Sequence, residues 1–384
     1  MIKFLRISSI YPVFLKKISK NFTINDSYEK ILQFIFEEKY SVSNYISEEL
    51  RKKNYLCNEI IYNCNLAQEK WMETYGKKNG EDVILQQIKF YSPDILFLGD
   101  LNLSNDLLVK KIRDTLDVKL ILAFHCAPFL KKHIVSLKNV DAMITCTEGY
   151  RNKIISLSDK KVLLMQHAYK EDDKETSTEK NRNIDVGFIG SIFLNKKLHL
   201  GRVEIIYELI RKYKNNYIAI NFSKYFFLEL TLFIFKSIFS YEIIKNFKTL
   251  YKILYIYIFC KKPVYGKNML NILKKIKILI NKHIEDTEFA GNMRLFEATG
   301  SGCLLMTDNK KDLDKLFVFE QEILIFENIE DLKKKIDFYL KNKTLLSKIA
   351  INGRKKTLSI HNYQNRVNEL DVFIKSFLAK NENI

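Results

Sequence analysis

The chain has 384 residues, which is too long for one ordinary hydrophobic core and predicts two domains. Hydrophobic residues make up 47% of it and only 12 glycines and 4 prolines interrupt them, so the composition excludes an intrinsically disordered chain. The formal net charge of +18 either indicates an anionic partner or follows from a lysine-rich composition that has no binding role.

The first half of the chain alternates helical patterns with short apolar runs. Residues 26–90 are expected to be mostly helical, and 105–116 form a further helical pattern. Four runs are apolar almost throughout, as in parallel strands covered on both faces: 94–100, 119–126, 141–147 and 161–168. This order predicts a series of βαβ units.

A polar and charged segment, residues 170–183, follows and is interpreted as a linker. The alternation then resumes. The predicted strands are 184–190, 217–222, 277–283, 303–308 and 322–326. The predicted helices are 198–213, a long basic and aromatic region up to about 262, 310–317, 329–341 and most of 343–380. The pattern therefore predicts two α/β halves joined by one linker.

The cysteines and the N-terminal sequence indicate where in the cell the protein is expected. The six cysteines include no C-x-x-C pair, and no His/Cys cluster has zinc spacing, so reduced thiols and no metal site are expected. The N-terminus lacks an apolar core followed by a small-residue cleavage site, and no uncharged apolar stretch reaches 18 residues. We therefore expect a cytoplasmic protein without a transmembrane span.

The positive charge is concentrated in one region. Residues 211–282 contain 15 Lys and Arg against two acids, which accounts for +13 of the +18. Within it, the aromatic stretch 223–262 is open to three interpretations: a helical insertion that packs on its own domain, a surface for anionic lipid headgroups, or a nucleic-acid site. Nucleic acid is the least expected. The partner predicted here is an anionic membrane surface, with the protein peripheral on its inner face.

The stretch AGNMRLFEATGSGCLLMTD combines a charged pair with two glycines. If 291–299 is helical, Arg294 and Glu297 lie on one face, and Gly300 and Gly302 allow a tight turn into the next strand. An arginine near a helix N-terminus suits a diphosphate, and a glutamate accepts hydrogen bonds from sugar hydroxyls. The alternative is a surface ion pair on an ordinary helix.

Two further groups of residues follow predicted strands. Gly190 and Ser191 end the strand of DVGFIGS, where a phosphate can approach the backbone, and His199 and Arg202 begin the next helix. A plain turn and a surface histidine are the alternatives.

His125 and His167 lie at strand ends in the first half, where a substrate cleft would open. Each is a candidate general base, and a structural histidine is the alternative.

The segment FAGNMRLFEATGSGCLLMTDNKKDLDKLF, followed by EILIFENIEDLKKKIDFYL, resembles the C-terminal half of CgeB-like glycosyltransferases, a group within the GT-B glycosyltransferases. In that group a helix carrying Asn-x-Arg-x-x-Glu-Ala leads through glycines into an apolar strand. RISSIYPVFL, SPDILFLGDLNL, AFHCAPFLKKHI, DVGFIGS and KPVYGKNML are similar to other segments of the group, in the same order.

The resemblance implies a GT-B fold of class α/β, with two Rossmann-like domains facing a cleft. Residues 1–175 would form the acceptor-side domain and 184–355 the nucleotide-sugar domain, and a helix in 356–384 would cross back to the first domain. It also implies that no metal and no cofactor are needed, apart from the nucleoside-diphosphate sugar as donor substrate.

The resemblance also assigns site residues. Gly190 and Ser191 would lie by the donor phosphates, Asn292 and Arg294 would face the diphosphate, and Glu297 would bind ribose or sugar hydroxyls. Arg294 and Glu297 are then expected to be separate ligand contacts and not a salt bridge.

One departure concerns stereochemistry. Many retaining members carry a second glutamate eight residues before the first, where this chain has Phe289. An inverting enzyme needs a base near the acceptor hydroxyl, and His125 is the candidate.

The predicted function is transfer of a sugar from a nucleoside-diphosphate sugar to a glycan, glycolipid or protein acceptor in surface-polysaccharide assembly. The alternative is a non-catalytic protein of GT-B shape in an envelope or coat assembly.

Overall fold

Parallel β-sheets form the frame of both halves in this computed structural model. The structure describes residues 1–77, 80–104, 106–171, 182–194, 199–238, 243–285 and 287–381. The chain divides into a first unit, Met1–His167 with Asn362–Ile384, and a second unit, Ala168–His361. These divisions fall close to the expected domain boundaries. Most of the predicted linker, residues 172–181, lies outside the described residues.

The first unit contains six parallel strands in the order β2-β1-β3-β4-β5-β6. Its strands are β1 Ile2–Ser8, β2 Tyr55–Ile61, β3 Ile95–Leu98, β4 Leu120–Phe124, β5 Ala142–Thr145 and β6 Lys161–Leu164. Its helices are α1 Pro12–Ile18, α2 Tyr28–Glu37, α3 Tyr45–Arg51, α4 Asn65–Tyr75, α5 Val83–Tyr91, α6 Asp106–Thr115, α7 Lys131–Ser136, α8 Glu148–Leu157 and, at the C-terminus, α17 Tyr363–Asn381. Every residue of β3 and β5 is buried, as continuous apolar runs predict.

Residues 26–90 are mostly helical, as predicted, but they also contain a strand that the sequence did not predict. β2 interrupts the helices and pairs with β1 over seven residues, although neither strand is an uninterrupted apolar run. The two strands place Arg6 opposite Glu59, and the guanidinium Nε lies 2.7 Å from the carboxylate Oε2 in the interior. Because these strands contain charged residues, a search for apolar runs does not detect them.

The last helix, α17, packs within the first unit, which confirms the predicted return of the C-terminal helix. The Tyr55 hydroxyl donates to Asp371 Oδ1 at 2.7 Å, and the rings of Tyr45 and Tyr363 lie 4.9 Å apart. The predicted helical stretch 343–380 forms two helices, Lys343–Ser359 and α17, separated by residues 360–362.

The second unit contains five parallel strands in the order β11-β10-β9-β7-β8. Its strands are β7 Ile184–Ile192, β8 Asn216–Phe222, β9 Ile276–Asn281, β10 Leu304–Asp308 and β11 Leu324–Phe326. Its helices are α9 Leu200–Lys212, α10 Phe226–Ile238, α11 Ile243–Phe259, α12 Gly266–Leu273, α13 Arg294–Gly300, α14 Leu313–Leu316, α15 Ile329–Lys341 and α16 Lys343–Ser359. Apolar clusters cover both faces of this sheet.

Two predicted helical regions of the second unit differ in detail. The described residues of the region up to about 262 are largely helical, as predicted, and form α10 and α11. The predicted helix 310–317 is reduced to α14, because Asp312 adopts a left-handed backbone conformation with φ of 66°.

Within the described residues, no helix combines the length and the apolar character needed to cross a membrane.

Candidate functional site at the carboxyl edge of the second sheet

The strand order of the second unit reverses between β7 and β9, which are neighbours in the sheet and lead to helices on opposite sides. In open parallel sheets the crevice beyond such a point is the usual ligand site. The residues that follow β7, β9 and β10 meet at this edge. Four of the nine predicted donor residues lie at the end of β7 or at the start of the helix after it: Gly190, Ser191, His199 and Arg202.

Arg202 joins the ends of β7 and β9. It is buried, its Nη1 donates to the Ser191 carbonyl at 2.9 Å, and its Nε donates to the Lys282 carbonyl at 3.1 Å. Burial lowers the pKa of Arg202 to about 10, and the nearby charge of Arg294 acts in the same direction, against the attraction of Asp308 and Glu285. The guanidinium therefore stays charged at neutral pH, and its hydrogen bonds link the ends of the two strands.

Gly190 leaves room for its neighbours at the same place. A Cβ there would lie 2.8 Å from the Phe188 ring and 3.8 Å from Arg202 Nη1. The glycine thus has a packing role beside the predicted phosphate site.

His199 lies at the start of α9 and is buried. Its Nδ1 accepts the Phe193 N–H at 3.2 Å, which fixes the loop after β7. Burial and the charge of Arg202 lower the pKa of His199 to about 3, so the ring is neutral.

The N-terminus of α9 is covered by a carboxylate. The Gly201 N–H donates to Glu285 Oε1 at 2.7 Å. A free N–H at a helix N-terminus attracts anions, and here a side-chain carboxylate takes that position.

A polar network that the sequence did not predict lies at the carboxyl ends of β9 and β10. The buried carboxylate of Asp308 accepts three short hydrogen bonds, from the Lys282 ammonium at 2.9 Å, the His283 N–H at 2.8 Å and His283 Nδ1 at 2.8 Å, and a longer one from the Thr307 hydroxyl at 3.4 Å. Burial alone would raise the pKa of Asp308, but the bonds and charge of His283 and Lys282 hold it well below its usual range. The far ring nitrogen, His283 Nε2, is buried and has no hydrogen-bond partner within the described part of the chain.

Asn292 links α13 to this network. Its Nδ2 donates to Asn281 Oδ1 at 2.9 Å, and its Oδ1 accepts the Arg294 N–H at 2.8 Å. Asn281 in turn donates to Thr307 Oγ1 at 2.9 Å. The side chain of Asn292 therefore positions the start of α13.

Arg294 and Glu297 form a salt bridge, which corrects the expectation of two separate contacts. The Nη1 atom of Arg294 lies 2.7 Å from Glu297 Oε2, both side chains are largely buried, and Nη1 also contacts the Met269 sulfur at 3.0 Å. The one-turn spacing in α13 brings the charges together when no ligand competes. The Arg294 Nε is buried and, among the described residues, has no hydrogen-bond partner.

Gly300 and Gly302 lie before β10, at the opposite edge of the sheet from the network. A Cβ at Gly300 would lie 2.3 Å from the Tyr169 ring. Gly302 has a φ of 81°, and a Cβ there would lie 2.5 Å from Arg182. The two glycines allow the turn into β10 that the sequence predicts, but the structure does not bring them together with Arg202 or Asp308.

The histidine candidates of the first unit are desolvated. His125 follows β4, is buried, and has its pKa lowered to about 4 by burial and by His133, whose ring lies 4.4 Å away. Its Nε2 has no hydrogen-bond partner in the part of the chain that is described. Removal from water and the charge of Arg366 lower the pKa of His167 to about 4. Both rings are neutral at pH 7, which a general base requires.

The state of two cysteines differs from the expected reduced thiols. Cys126 and Cys146 are joined in a disulfide, with their Cα atoms 5.6 Å apart. The parallel register of β4 and β5 pairs Phe124 with Ile144 and so brings the residues after both strands side by side. The other four cysteines are free.

His167 lies beside this cysteine pair. One ligand atom from each of Cys126, Cys146 and His167 falls within 4.8 Å of the others. Such a group can hold a metal ion only with both thiols reduced. Zinc spacing along the sequence misses it because three strands supply the residues.

The comparisons with known proteins agree with this architecture. Residues 248–371 match the model of a protein family described as "Glycosyl transferase-like". The matched segment includes Asp308, His283, Arg294 and Glu297. No curated protein matches the chain in sequence.

Solved structures match at low sequence identity. HepE from Anabaena, in complex with UDP-glucose, has a TM-score of 0.58 and 9% identity, covering 98% of this chain and 100% of that one. A glycosyltransferase from Rickettsia africae has a TM-score of 0.55 and 14% identity, covering 98% of each chain. TarM has a TM-score of 0.52 and 14% identity, covering 77% of this chain, which spans 57% of TarM. The fold is that of the GT-B glycosyltransferases. In this GT-B chain the polar network lies in the C-terminal α/β unit.

Proposed function

We propose that the protein is a glycosyltransferase that moves a sugar from a nucleoside-diphosphate sugar to a glycan, glycolipid or protein acceptor. The proposal places the donor diphosphate at the carboxyl edge of β7 and β9. It also places the protein in the CgeB-like group, at the cytoplasmic face of a membrane, in the assembly of surface polysaccharides.

The observation that carries the proposal is the meeting of Arg202, Lys282 and Arg294 at the switch point of a GT-B sheet. The charge of Arg294 contributes to the lowered pKa of Arg202, and an anion between the two side chains would relieve that repulsion. Positive charge fixed at this position stabilises the negative charge that develops on a departing nucleoside diphosphate. These residues perform that task without a metal ion, and we propose a metal-independent reaction.

Two buried nitrogens give the site directional contacts. His283 Nε2 and Arg294 Nε have no partner among the described residues, and a buried polar atom without a partner costs free energy. We propose that Arg294 Nε donates to the donor diphosphate and that His283 Nε2, oriented by Asp308, bonds a donor oxygen.

The proposed roles of Glu297 and His125 follow from chemistry. Glu297 would exchange its salt bridge with Arg294 for hydrogen bonds donated by ribose or sugar hydroxyls. A carboxylate accepts such hydrogen bonds, whereas a guanidinium cannot. His125 would take the proton of the acceptor hydroxyl in an inverting reaction. With its pKa near 4, it provides little driving force for that step at neutral pH.

The test is turnover of a panel of uridine, guanosine and other nucleoside-diphosphate sugars, with release of the nucleoside diphosphate measured with and without glycan and glycolipid acceptors. We expect one donor to be turned over, and we expect Glu297→Gln to reduce kcat by about 100-fold, as loss of one aligned transition-state hydrogen bond does. The matched control is Glu288→Gln, an exposed glutamate paired with Lys311. Donor binding without turnover would favour the non-catalytic alternative, and equal activity of both variants would contradict the role of Glu297.

A further inference from the structure

The outer surface of α10 and α11 is unusually apolar for a surface in contact with water. Thirteen of the 31 large apolar side chains exposed in the described residues lie between Tyr225 and Phe259. On α10 they include Phe227, Leu228 and Phe235, with exposed fractions of 62%, 59% and 63%. We name these exposed side chains of α10 and α11 the aromatic surface. Contiguous apolar patches of this kind mark binding sites.

The α10 helix carries apolar residues on both its inner and its outer side. Phe226 and Leu230 are buried on the inner side and belong to the core of the second unit. Glu229 and Ser237 are buried on the inner side, where Glu229 Oε2 accepts the Leu194 N–H at 3.0 Å. The outer side carries large apolar residues at positions one turn apart. A helix that faces water normally presents polar residues on its outer side. The outward residues Leu228, Leu232 and Phe235 are exposed, and their apolar character needs another explanation.

The α11 helix also exposes apolar side chains, and these are regularly spaced along it. Ile244, Phe247, Tyr251, Leu254 and Ile258 follow one another at intervals of three or four residues, so they form one stripe along the helix, and all five are exposed. Ile244 and Ile258 are 14 residues apart, which makes the stripe about 21 Å long at 1.5 Å per residue. A stripe along the side of a helix suits an occupant that lies parallel to the helix axis.

The charge around the aromatic surface has one sign. Exposed lysines in the described part of 223–262 are Lys224, Lys236, Lys245, Lys248, Lys261 and Lys262. Lys252 is already paired with Glu204. The sole acid among the described residues of this stretch, Glu229, is buried. Apolar side chains flanked by lysines match the boundary between acyl chains and anionic headgroups.

We propose that the aromatic surface binds the face of an anionic lipid bilayer, with α10 and α11 lying in the headgroup region. The apolar stripe would contact the upper acyl chains and the lysines would contact lipid phosphates. This gives the proposed membrane location a defined contact surface and favours a lipid-held acceptor. The acceptor part rests on the proposed function, whereas lipid binding is measured without donor or acceptor, so the two can fail separately.

The test is co-flotation of the full chain with vesicles of phosphatidylcholine alone or with one third phosphatidylglycerol. We expect binding to the anionic vesicles that weakens as salt is added. Phe235→Trp gives a reporter whose fluorescence should shift to the blue on binding, because the natural Trp71 is buried in the other unit.

Two sets of variants separate the apolar and charged contributions. The combination Phe227→Ser, Phe235→Ser and Ile258→Ser should weaken binding at least about tenfold, by loss of buried apolar area. Lys236→Gln with Lys248→Gln should weaken it about fivefold per lysine. The matched controls carry equal changes elsewhere: Ile24→Ser, Phe338→Ser and Val372→Ser for the first, and Lys17→Gln with Lys334→Gln for the second.

Three outcomes would overturn the inference: no binding to anionic vesicles, equal loss of binding in the controls, or a dimer that the triple serine variant converts to a monomer. The last result would assign the aromatic surface to a second copy of the chain. Loss of vesicle binding with unchanged melting temperature, in the aromatic-surface variants alone, would support the inference.

Discussion

Substitution of Asp308 by asparagine tests the network at the carboxyl edge. The carboxylate accepts bonds from Lys282, from the His283 N–H and from His283 Nδ1, all between 2.8 and 2.9 Å. The amide has one accepting oxygen and no charge. It cannot satisfy the three donors, and its own NH2 group would face a donor or would force the other tautomer of His283.

The expected cost follows from these contacts. Each hydrogen bond to a charged group contributes about 1.5–3 kcal/mol, and the bonds share one carboxylate and do not add. We therefore expect Asp308→Asn to lower the free energy of unfolding by about 2–4 kcal/mol at pH 7. Donor affinity should fall as well, because His283 Nε2 loses its orientation.

The pH dependence gives a second test of the same substitution. The folded pKa of Asp308 lies below its ordinary value, so its stabilising contribution is fully present above the unfolded pKa of about 3.9. It is lost as the pH falls from there through the folded pKa. The difference in stability between the natural chain and Asp308→Asn should therefore shrink below about pH 4.

The assay is urea unfolding followed by circular dichroism from pH 3 to pH 7, with Asp314→Asn as a control because Asp314 is exposed. The control should differ from the natural chain by less than about 0.5 kcal/mol. A loss at pH 7 no larger than that of the control would refute the reasoning. So would a difference that stays constant down to pH 3.

Two further predictions concern packing and thiol chemistry. Gly300→Ala should lower the free energy of unfolding by about 1–3 kcal/mol in urea titrations, because its Cβ would lie 2.3 Å from the Tyr169 ring. The double variant Gly300→Ala with Tyr169→Ala should lose less stability than the sum of the two single variants. Strict additivity of the two effects would contradict the predicted clash. Alkylation of the unfolded, unreduced chain should modify the four free cysteines and leave Cys126 and Cys146 unmodified, as read by mass spectrometry; six modifications without reductant would show that the pair is reduced.

Several of the strands that the sequence predicts lie in an environment that is apolar on both faces. β3, β5 and β10 are buried at every position, so an apolar run is sufficient to identify them. β1 and β2 are not apolar runs, because Arg6 and Glu59 pair inside the sheet. Only the pairing of the two strands makes those charges compatible with burial, and a single sequence does not contain that information.

The same distinction between local sequence patterns and strand pairing applies to the candidate site. The spacing of Arg294 and Glu297 is visible in the sequence, since one helical turn separates them. His283 and Asp308 end two different strands, and the parallel register of β9 and β10, which pairs Asn281 with Thr307, brings them together. The same kind of register aligns Cys126 with Cys146. Contacts set by register lie beyond what local patterns predict.

The central claim is that the carboxyl edge of β7 and β9 binds a nucleoside diphosphate, and calorimetric and thermal-shift titration with nucleoside-diphosphate sugars tests it most directly. At a concentration of 100 times its dissociation constant, a bound donor should raise the free energy of unfolding by about 2.7 kcal/mol. Arg294→Gln should weaken that binding at least about tenfold, since it removes a charged hydrogen bond, while Lys334→Gln should not change it. Absence of binding across the panel, or equal affinity of Arg294→Gln and the natural chain, would contradict the claim.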